Sequence, residues 1–345
     1  MIRGIYENNE ESKIEKEAIK ISGVIMSVKI LGTGSFLPEK SVSNDDLSKV
    51  MDTSDEWISS RTGIRSRHIS IEDTTSSMAV KAAKKALEDA GISAEELDHI
   101  FVATLSGDHA TPSTSCQVQN GIGAVNAVCM DINAACSGFV YGLNTAIAYA
   151  KAGMGKKMMI IGVETLSKIL DWSDRSTCVL FGDGAGCAIV EADEEREIFI
   201  DAGSDGAKGD VLTCEERHLN NLLVKDESSM QQVAMDGQEV FKFAVRMVPK
   251  SITKVLDKAG VDKEEVKYFV LHQANRRIIE AAARRLKQPI EKFPMNVDQC
   301  ANTSSATIPI LLDEMNQRGM LSRGDKIVLS GFGGGLTWGS VYLTW

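Results

Sequence analysis

Three residues of types that support acyl chemistry stand where strand-like patterns end. Cys136 lies in DINAACSGFVYG, after an apolar run and before a helical pattern rich in Ala, Ser and Gly. The unpaired N–H groups and the dipole of a helix N-terminus stabilise a thiolate, so this position predicts a nucleophilic cysteine suited to acyl transfer. Because an isolated cysteine is most often a small buried hydrophobic residue, the prediction depends on its neighbours.

Two of those neighbours are predicted to be His272, in LHQANRR, and Asn302, in CANTSSATIP. Each also has a structural interpretation, since a lone histidine is often a core residue and Asn-Thr-Ser is an ordinary turn or N-cap. An imidazole without an acidic partner and a neutral amide can nevertheless both stabilise negative charge on a carbonyl oxygen. With Cys136 they predict a site that holds an oxyanion.

An internal duplication supports this grouping. Residues 81–102 (KAAKKALEDAGISAEELDHIFV) align without gaps on residues 250–271 (KSITKVLDKAGVDKEEVKYFVL), and the glycines at 91 and 260 set an offset of 169 residues. So long a period indicates a duplicated domain and not a solenoid of short repeats.

The same offset places the three chemical residues at equivalent strand ends. Cys136 falls on position 305, in the same turn as Asn302, and His272 falls on Ala103, just past the matching strand. Open α/β sheets bind ligands at the carboxyl ends of their strands. The duplication therefore predicts one shared site.

The elements that position this site alternate between strand and helix patterns from Met26 onward. They predict an α/β fold of two βαβ-type halves, residues 26–197 and 198–345. The acidic stretch EADEERE at 191–197 would be either the boundary between the two halves or a turn within one domain. Residues 1–25 are charged and lack the apolar stretch of a secretory signal, so we expect a disordered leader, and Met26 is a second candidate for the start.

Composition excludes several classes of function. The net charge of −10 argues against bulk nucleic-acid binding, and no apolar run is long enough for a membrane span. Seven scattered cysteines without a C-x-x-C pair argue against a disulfide framework or a structural zinc site, which favours the reducing cytoplasm.

Two glycine-rich segments could be mistaken for nucleotide-binding loops. FGDGAG at 181–186 runs into a strand, and GFGGGLTWG at 331–339 is followed by no helix pattern or Gly-Lys-Ser/Thr. The second segment could point a backbone N–H into the site as an oxyanion donor, or could be a flexible hairpin.

Four motifs match those of a known family in sequence, order and spacing: C-S-G-F, H-Q-A-N-x-R, N-T-S-x-A-T-I-P and G-F-G-G-G-x-T-W-G. From Met26 to Trp345 the chain resembles β-ketoacyl-acyl carrier protein synthase III of the thiolase-like superfamily. The resemblance implies a five-layered αβαβα fold, a homodimer, and initiation of bacterial type II fatty acid synthesis without a metal or redox cofactor.

The resemblance also implies residue roles. Cys136 would accept an acyl group from an acyl-coenzyme A, with the oxyanion held by the N–H groups of Cys136 and Gly334. Malonyl-acyl carrier protein would follow, and its thioester carbonyl would bond His272 and Asn302 during loss of carbon dioxide. Two neutral donors suffice because decarboxylation needs charge stabilisation and no strong base.

Binding residues carry over by motif as well. Some of these binding roles have a structural alternative: Arg61 and Arg175 could instead form an internal salt bridge, and the residues assigned to carrier-protein binding could form an ordinary solvated surface. The coenzyme A residues would be Trp57, Arg61, Arg175 and Asn275, and the carrier-protein residues Lys242, Arg277, Arg284 and Arg285.

The sequence departs from the family pattern at three positions. Thr111 replaces the Phe that in short-chain members often closes the acyl pocket from the partner subunit, so a longer or branched primer could fit. Ala301 replaces a common Gly and Ser305 a common Ala, both beside Asn302.

Two alternative functions use the same scaffold. One is a relative that primes polyketide or secondary-metabolite synthesis, or transfers the acyl group to oxygen or nitrogen. The other is a catalytically silent dimeric binding protein, which the intact set of Cys136, His272 and Asn302 argues against.

Overall fold

The computed structural model describes residues 27–345 except 197, 216, 227 and 230, so the predicted leader, residues 1–25, lies outside the described residues. Two mixed sheets form its framework. The first has the strand order β1-β7-β6-β4-β5, in which β4 runs parallel to both β5 and β6 and the other pairs are antiparallel. Its strands are β1 (Ser27–Phe36), β4 (His99–Ala103), β5 (Val128–Ile132), β6 (Lys157–Glu164) and β7 (Gly184–Asp193).

The second sheet has the order β11-β12-β13-β8 and a parallel pair only between β11 and β12. The segment GFGGGLTWG forms the tight connection between β12 and β13, so it is an ordered hairpin. The strands are β8 (Phe199–Ser204), β11 (Tyr268–Leu271), β12 (Lys326–Gly333) and β13 (Thr337–Thr344); short ladders join β2 (Ser41–Ser43) to β3 (Ser66–His68) and β9 (Leu212–Thr213) to β10 (Ala234–Met235).

Helices cover both sheets and fill the space between them. Helices α3 and α4 pack on the outer face of the first sheet, α5 and α9 lie between the sheets, and α6 and α7 cover the outer face of the second. These five layers confirm the αβαβα architecture. The helices are α1 (Asn44–Leu47), α2 (Asp55–Thr62), α3 (Thr75–Ala90), α4 (Thr114–Ile122), α5 (Gly138–Lys151), α6 (Gly237–Ala259), α7 (Arg276–Leu286), α8 (Val297–Cys300) and α9 (Thr307–Gln317).

Equivalent elements of the two halves recur at the offset of 169 residues. Strand β12 begins 169 residues after β6, and α9 begins 169 residues after α5. The glycines that end α3 and α6, Gly91 and Gly260, both adopt left-handed φ values, 65° and 62°, which glycine tolerates without steric cost. The two central helices therefore bring their N-termini, and the turns before them, to the same region between the sheets.

The described helices include none that is long and apolar enough to cross a membrane.

Candidate active site

Cys136 lies at the first of these turns. It belongs to a short 3-10 turn, Ala135–Ser137, that leads directly into α5, and Ala135 holds a left-handed φ of 45°. The residue is 8% exposed and lines a cavity of about 920 Å³. The sulfur thus stands at the inner end of a pocket large enough for an acyl chain.

Burial works against the thiolate that the helix N-terminus would stabilise. Burial raises the pKa of the Cys136 thiol to about 12, the charge of Glu164 acts in the same direction, and the nearby Ser304 hydroxyl opposes both. The sequence-based expectation considered the helix N-terminus alone, whereas burial of the sulfur disfavours the charged form and raises the pKa. Burial and the charge of Glu164 therefore favour the protonated thiol of Cys136.

Gly333, at the end of β12, packs directly against the nucleophile. A Cβ at this position would lie 2.6 Å from the backbone nitrogen of Cys136 and 3.0 Å from its Cβ. The glycine loop therefore approaches Cys136 more closely than any other residue type would allow. Gly334, which the resemblance assigns to the oxyanion hole, is the next residue and lines the cavity with Cys136.

Asn302 lies in the second turn, and its side chain is fixed by the local backbone. Its Oδ1 accepts a hydrogen bond from the Ser304 N–H at 2.8 Å, and its own backbone pairs with Leu180 and Gly182. Among the described residues its side-chain NH₂ group has no acceptor, so the amide is held with its donors free. Ala301, just before it, has φ 55° and ψ −158°, a conformation typical of glycine, which fits the glycine common there in the family.

His272 follows β11 and is 1% exposed. Its Nδ1 lies 2.6 Å from Oγ1 of Thr307, the first residue of α9, and its ring packs edge-on against Phe332 at 5.2 Å between centroids. Burial lowers the pKa of His272 to about 3, so the ring is neutral. In the described part of the chain Nε2 has no hydrogen-bond partner, which leaves it available to a ligand.

Ser304 links the three residues predicted from the sequence. The turn that contains it packs against the turn of Cys136, its N–H bonds Asn302, and its carbonyl accepts a 3.1 Å hydrogen bond from Thr307, the partner of His272. Ser304 and Cys136 line the large cavity, but His272 and Asn302 do not. Ser304 is thus the residue that connects the cavity lining to the partners of Asn302 and His272.

Thr111 also lines the large cavity and is exposed in the single chain. Phe181 and Leu212 supply apolar surface, and Lys168 and Arg217 supply charge. The cavity therefore has the mixed lining and the size to hold more than a two-carbon unit.

A second cavity of about 460 Å³ gathers residues predicted to bind coenzyme A and the carrier protein. The Arg61 guanidinium lies 4.8 Å from the centre of the Trp57 ring, and the Arg61 carbonyl accepts from Asn275 at 3.2 Å. Arg175 lies 5.4 Å from the same ring but also pairs with Asp52 at 2.8 Å, so for Arg175 the salt-bridge alternative holds alongside the stacking. The lining includes Trp57, Arg61, Asn275, Lys242 and Arg277.

The predicted carrier-protein residues lie on α6 and α7 beside this second cavity. Arg277 stacks over Phe241 at 5.3 Å, and Lys242 pairs with Glu239 at 2.8 Å. Arg284 and Arg285 are exposed in the last turn of α7. Of the four cations, Lys242 and Arg277 line the second cavity, and Arg284 and Arg285 lie further along α7.

Glu164, a fully buried carboxylate at the end of β6, lies outside the sequence motifs. It accepts hydrogen bonds from the hydroxyls of Ser106 at 2.5 Å and Ser305 at 3.0 Å, and burial raises its pKa. Ser305, where the family commonly has Ala, therefore helps to solvate this carboxylate. Gly333, Ser304 and Thr307 lie inside the quoted motifs, yet sequence alone could not rank them, because their roles depend on contacts between the two halves.

Replacing Gly333 with alanine should reduce acyl-enzyme formation by a factor on the order of 10², because the new methyl group displaces the Cys136 backbone, whose N–H the resemblance assigns to the oxyanion hole. Overpacking of this kind should also lower the free energy of unfolding by about 1–3 kcal/mol. Intact-mass kinetics and thermal unfolding would measure the two effects.

Gly334→Ala is the matched control. Its Cβ would make ordinary 3.5 Å contacts with Ala135 and Leu212, and the N–H is retained. Equal acylation rates in the two variants would contradict the assigned role of the close Gly333–Cys136 approach.

Family models match two segments of the chain. Residues 130–206 match the model described as 3-Oxoacyl-[acyl-carrier-protein (ACP)] synthase III, and residues 256–345 match the model of the C-terminal part of the same enzyme. The first segment contains Cys136, and the second contains His272 and Asn302.

Whole-chain relatives extend this similarity. Beta-ketoacyl-[acyl-carrier-protein] synthase III of Clostridium acetobutylicum is 53% identical over 322 residues, which cover 92% of this chain and 99% of that protein. The crystal structure of 3-oxoacyl-[acyl-carrier-protein] synthase III from Aquifex aeolicus superposes with a TM-score of 0.86 at 45% identity, covering 92% of this chain and 100% of that one. A priming beta-ketosynthase from the R1128 polyketide pathway has the same TM-score at 33% identity, covering 92% and 96%.

Proposed function

Because the chain belongs to the 3-oxoacyl-[acyl-carrier-protein] synthase III family, whose members are acyltransferases that perform the initiating condensation of fatty acid synthesis, we propose that Cys136, His272 and Asn302 carry out that reaction. The observation that carries the assignment is the Ser304 turn. It joins the cysteine in the large cavity to Asn302 and to Thr307, the partner of His272, and among the described residues neither the Asn302 NH₂ group nor His272 Nε2 forms a hydrogen bond with another residue.

In the first half-reaction, the sulfur of Cys136 attacks the carbonyl carbon of an acyl-coenzyme A. The carbon–sulfur bond to coenzyme A breaks, and the thiol proton of Cys136 ends on the sulfur of the departing coenzyme A. The backbone N–H groups of Cys136 and Gly334 stabilise the oxyanion, and the Gly333 approach fixes their separation. The acyl chain then occupies the large cavity.

In the second half-reaction, malonyl-acyl carrier protein binds with its thioester carbonyl at His272 and Asn302. Carbon dioxide leaves, the electron pair of the broken bond forms an enolate, and the two side chains donate hydrogen bonds to its oxygen. The enolate carbon attacks the acyl carbonyl, and Cys136 leaves as a thiolate that is reprotonated. Because His272 is neutral, it donates this hydrogen bond only when its one ring proton is on Nε2, and the Thr307 hydroxyl must then turn from the Ser304 carbonyl to donate to Nδ1.

We propose that the second cavity receives the coenzyme A portion of the primer. Trp57 and Arg61 already stack on each other, and an adenine ring fits the same platform, with Arg175 at its other edge. Asn275 is held beside them through the Arg61 carbonyl. This cavity and the large one would together accommodate the two ends of an acyl-coenzyme A.

Acyl carrier protein is the partner that the family implies, and we propose that it docks on the exposed cations beside the second cavity. The chain as a whole carries a net charge of −10, so a local basic face is a specific attraction for an acidic partner. The residues are Lys242, Arg277, Arg284 and Arg285.

We propose a homodimer formed through the edge of the first sheet. Strand β5 has a neighbour on one side only, and the exposed apolar residues Val125, Val128 and Met130 lie on or beside it. An exposed strand edge with apolar side chains favours pairing with another chain. Sedimentation equilibrium should give twice the mass of one chain, and a monomer at micromolar concentration would contradict the proposal.

We also propose a cytoplasmic location and a reaction without cofactor. All seven cysteines are free thiols, which suits a reducing compartment, and the two half-reactions balance with acyl-coenzyme A and malonyl-acyl carrier protein as the only substrates. The greater identity to the fatty acid enzyme than to the polyketide priming enzyme, 53% against 33%, makes the polyketide alternative the weaker one.

The function is tested by measuring carbon dioxide released from malonyl-acyl carrier protein in the presence of a series of acyl-coenzyme A primers. We expect release to require a primer, and, because Thr111 leaves the large cavity unblocked, we expect primers longer than acetyl to be accepted. Release that does not depend on any primer, or acyl transfer without carbon dioxide, would contradict the proposed condensation.

A further inference from the structure

Ser304 has a buried hydroxyl without a hydrogen-bond partner among the described residues, in the cavity that also holds Cys136. It is 1% exposed, it lines the large cavity together with Cys136, and among the described residues its Oγ has no hydrogen-bond partner. A buried hydroxyl without a partner costs free energy, so such a group in an enzyme pocket calls for a functional explanation.

The main-chain polar groups of Ser304 are both hydrogen-bonded within the site. Its N–H donates to Asn302 Oδ1 at 2.8 Å, and its carbonyl accepts from Thr307 Oγ1 at 3.1 Å. The residue has a left-handed φ of 52°, which is unusual for any residue but glycine. Both main-chain polar groups are thus committed to the site, and only the side chain is left for a ligand or a neighbour.

Two acceptors belong to the elements packed around Ser304, and neither forms a hydrogen bond with its hydroxyl in the resting site. One is the Glu164 carboxylate, which already accepts from Ser106, Ser305 and the Leu105 N–H. The other is the sulfur of Cys136, whose pKa the Ser304 hydroxyl lowers against burial. A neutral thiol is a weak acceptor, but a thiolate attracts a hydroxyl hydrogen strongly.

We propose that Ser304 is a further catalytic residue, whose hydroxyl donates a hydrogen bond to the Cys136 sulfur as that sulfur becomes a thiolate. The inference rests on the proposed role of Cys136 as the nucleophile. It explains how a buried thiol becomes reactive although His272 is neutral and supplies no positive charge. The second half of the fold supplies the hydrogen-bond donor Ser304, which is equivalent in the duplication to Ala135, the residue before Cys136 in the first half.

The effect of the Ser304 hydroxyl on Cys136 must be distinguished from the effects of the titratable groups nearby. Glu164 opposes thiolate formation through its charge, and His272 is neutral. The Ser304 hydroxyl also opposes the rise in the Glu164 pKa, so removal of the hydroxyl could act through either group. A Glu164→Gln background distinguishes the two routes.

The test is the pH dependence of Cys136 alkylation by iodoacetamide, measured on the full chain by peptide mass spectrometry with the exposed Cys214 as an internal reference. At a fixed pH near neutrality we expect Ser304→Ala to slow alkylation of Cys136 about ten-fold, the loss expected for one hydrogen bond to a charged group, and to move the profile to higher pH. Alkylation of Cys214 should not change.

Ser304→Gly guards against a purely conformational effect, because glycine accepts the left-handed φ and also lacks the hydroxyl. We expect both variants to be slowed alike and Ser304→Ala to be slowed equally in the Glu164→Gln background. Thr303→Val is the matched control: Thr303 is equally buried, its hydroxyl also lacks a partner among the described residues, and it does not line the cavity.

Unchanged alkylation of Cys136 in folded Ser304→Gly would overturn the inference, as would loss of the effect in the Glu164→Gln background. Failure of the proposed function looks different: acyl-coenzyme A would then leave Cys136 unmodified in the wild-type chain.

Discussion

Replacing Cys136 with alanine should abolish the acyl-enzyme and reduce the overall condensation by a factor on the order of 10⁴ or more, because the proposed mechanism places the thioester intermediate on this sulfur. The substitution removes one sulfur from a cavity wall and leaves the surrounding turn in place. Intact-mass spectrometry after exposure to acyl-coenzyme A should show the acyl mass on the wild-type chain and none on the variant.

Cys214→Ala is the matched control for this prediction. Cys214 lines the same cavity and is more exposed than Cys136, so it is the thiol that would be acylated by proximity alone. We expect the Cys214 variant to acquire the acyl mass at the wild-type rate. An acyl adduct that persists in Cys136→Ala and disappears in Cys214→Ala would move the nucleophile to the other side of the cavity.

Why Cys136 and not Cys214 should react is a matter of surroundings. Burial raises the pKa of both thiols, so neither is a thiolate at rest. Cys136, however, adjoins the glycine loop and the Ser304 turn, which provide backbone N–H groups and a hydroxyl. Reactivity then arises from donors that act as charge develops, and not from a thiolate stored in the resting enzyme.

The elements that hold Cys136, His272 and Asn302 could be predicted because they depend on how the two copies of the duplicated segment align. The two copies of the duplicated segment fix which strand end matches which, and helices α5 and α9 begin 169 residues apart, at Gly138 and Thr307. Strand and helix periodicity therefore carried the prediction as far as the turns that hold Cys136 and Asn302. The five-layered fold followed from the family resemblance and is confirmed.

The electrostatics of the site could not be predicted in this way. Whether a sulfur at a helix start is hydrated or dry depends on how closely the other half packs on it, and that packing is set by contacts such as Gly333 on Cys136. The same limit applies to the glycine loop. Its composition indicated an oxyanion donor, but only the three-dimensional contact separates Gly333, which must be glycine, from Gly334, which need not be.

Replacing Asn302 should impair the second half-reaction far more than the first. In Asn302→Ala the enolate loses one of its two donors, and we expect condensation to fall by a factor on the order of 10²–10³. The measurement uses enzyme acylated beforehand, so that carbon dioxide release from malonyl-acyl carrier protein reports the second half-reaction alone. Acylation of Cys136 is followed separately by mass spectrometry.

Alanine also removes Oδ1, which holds the Ser304 N–H at 2.8 Å, so a modest loss in the first half-reaction is expected from that variant. Asn302→Asp separates the two contributions. Its carboxylate retains an acceptor for Ser304 but offers no donor and repels the enolate, so acylation should stay within a few-fold of wild type while condensation is lost. Equal losses in both half-reactions of the Asp variant would mean that Asn302 supports the turn and does not stabilise the enolate.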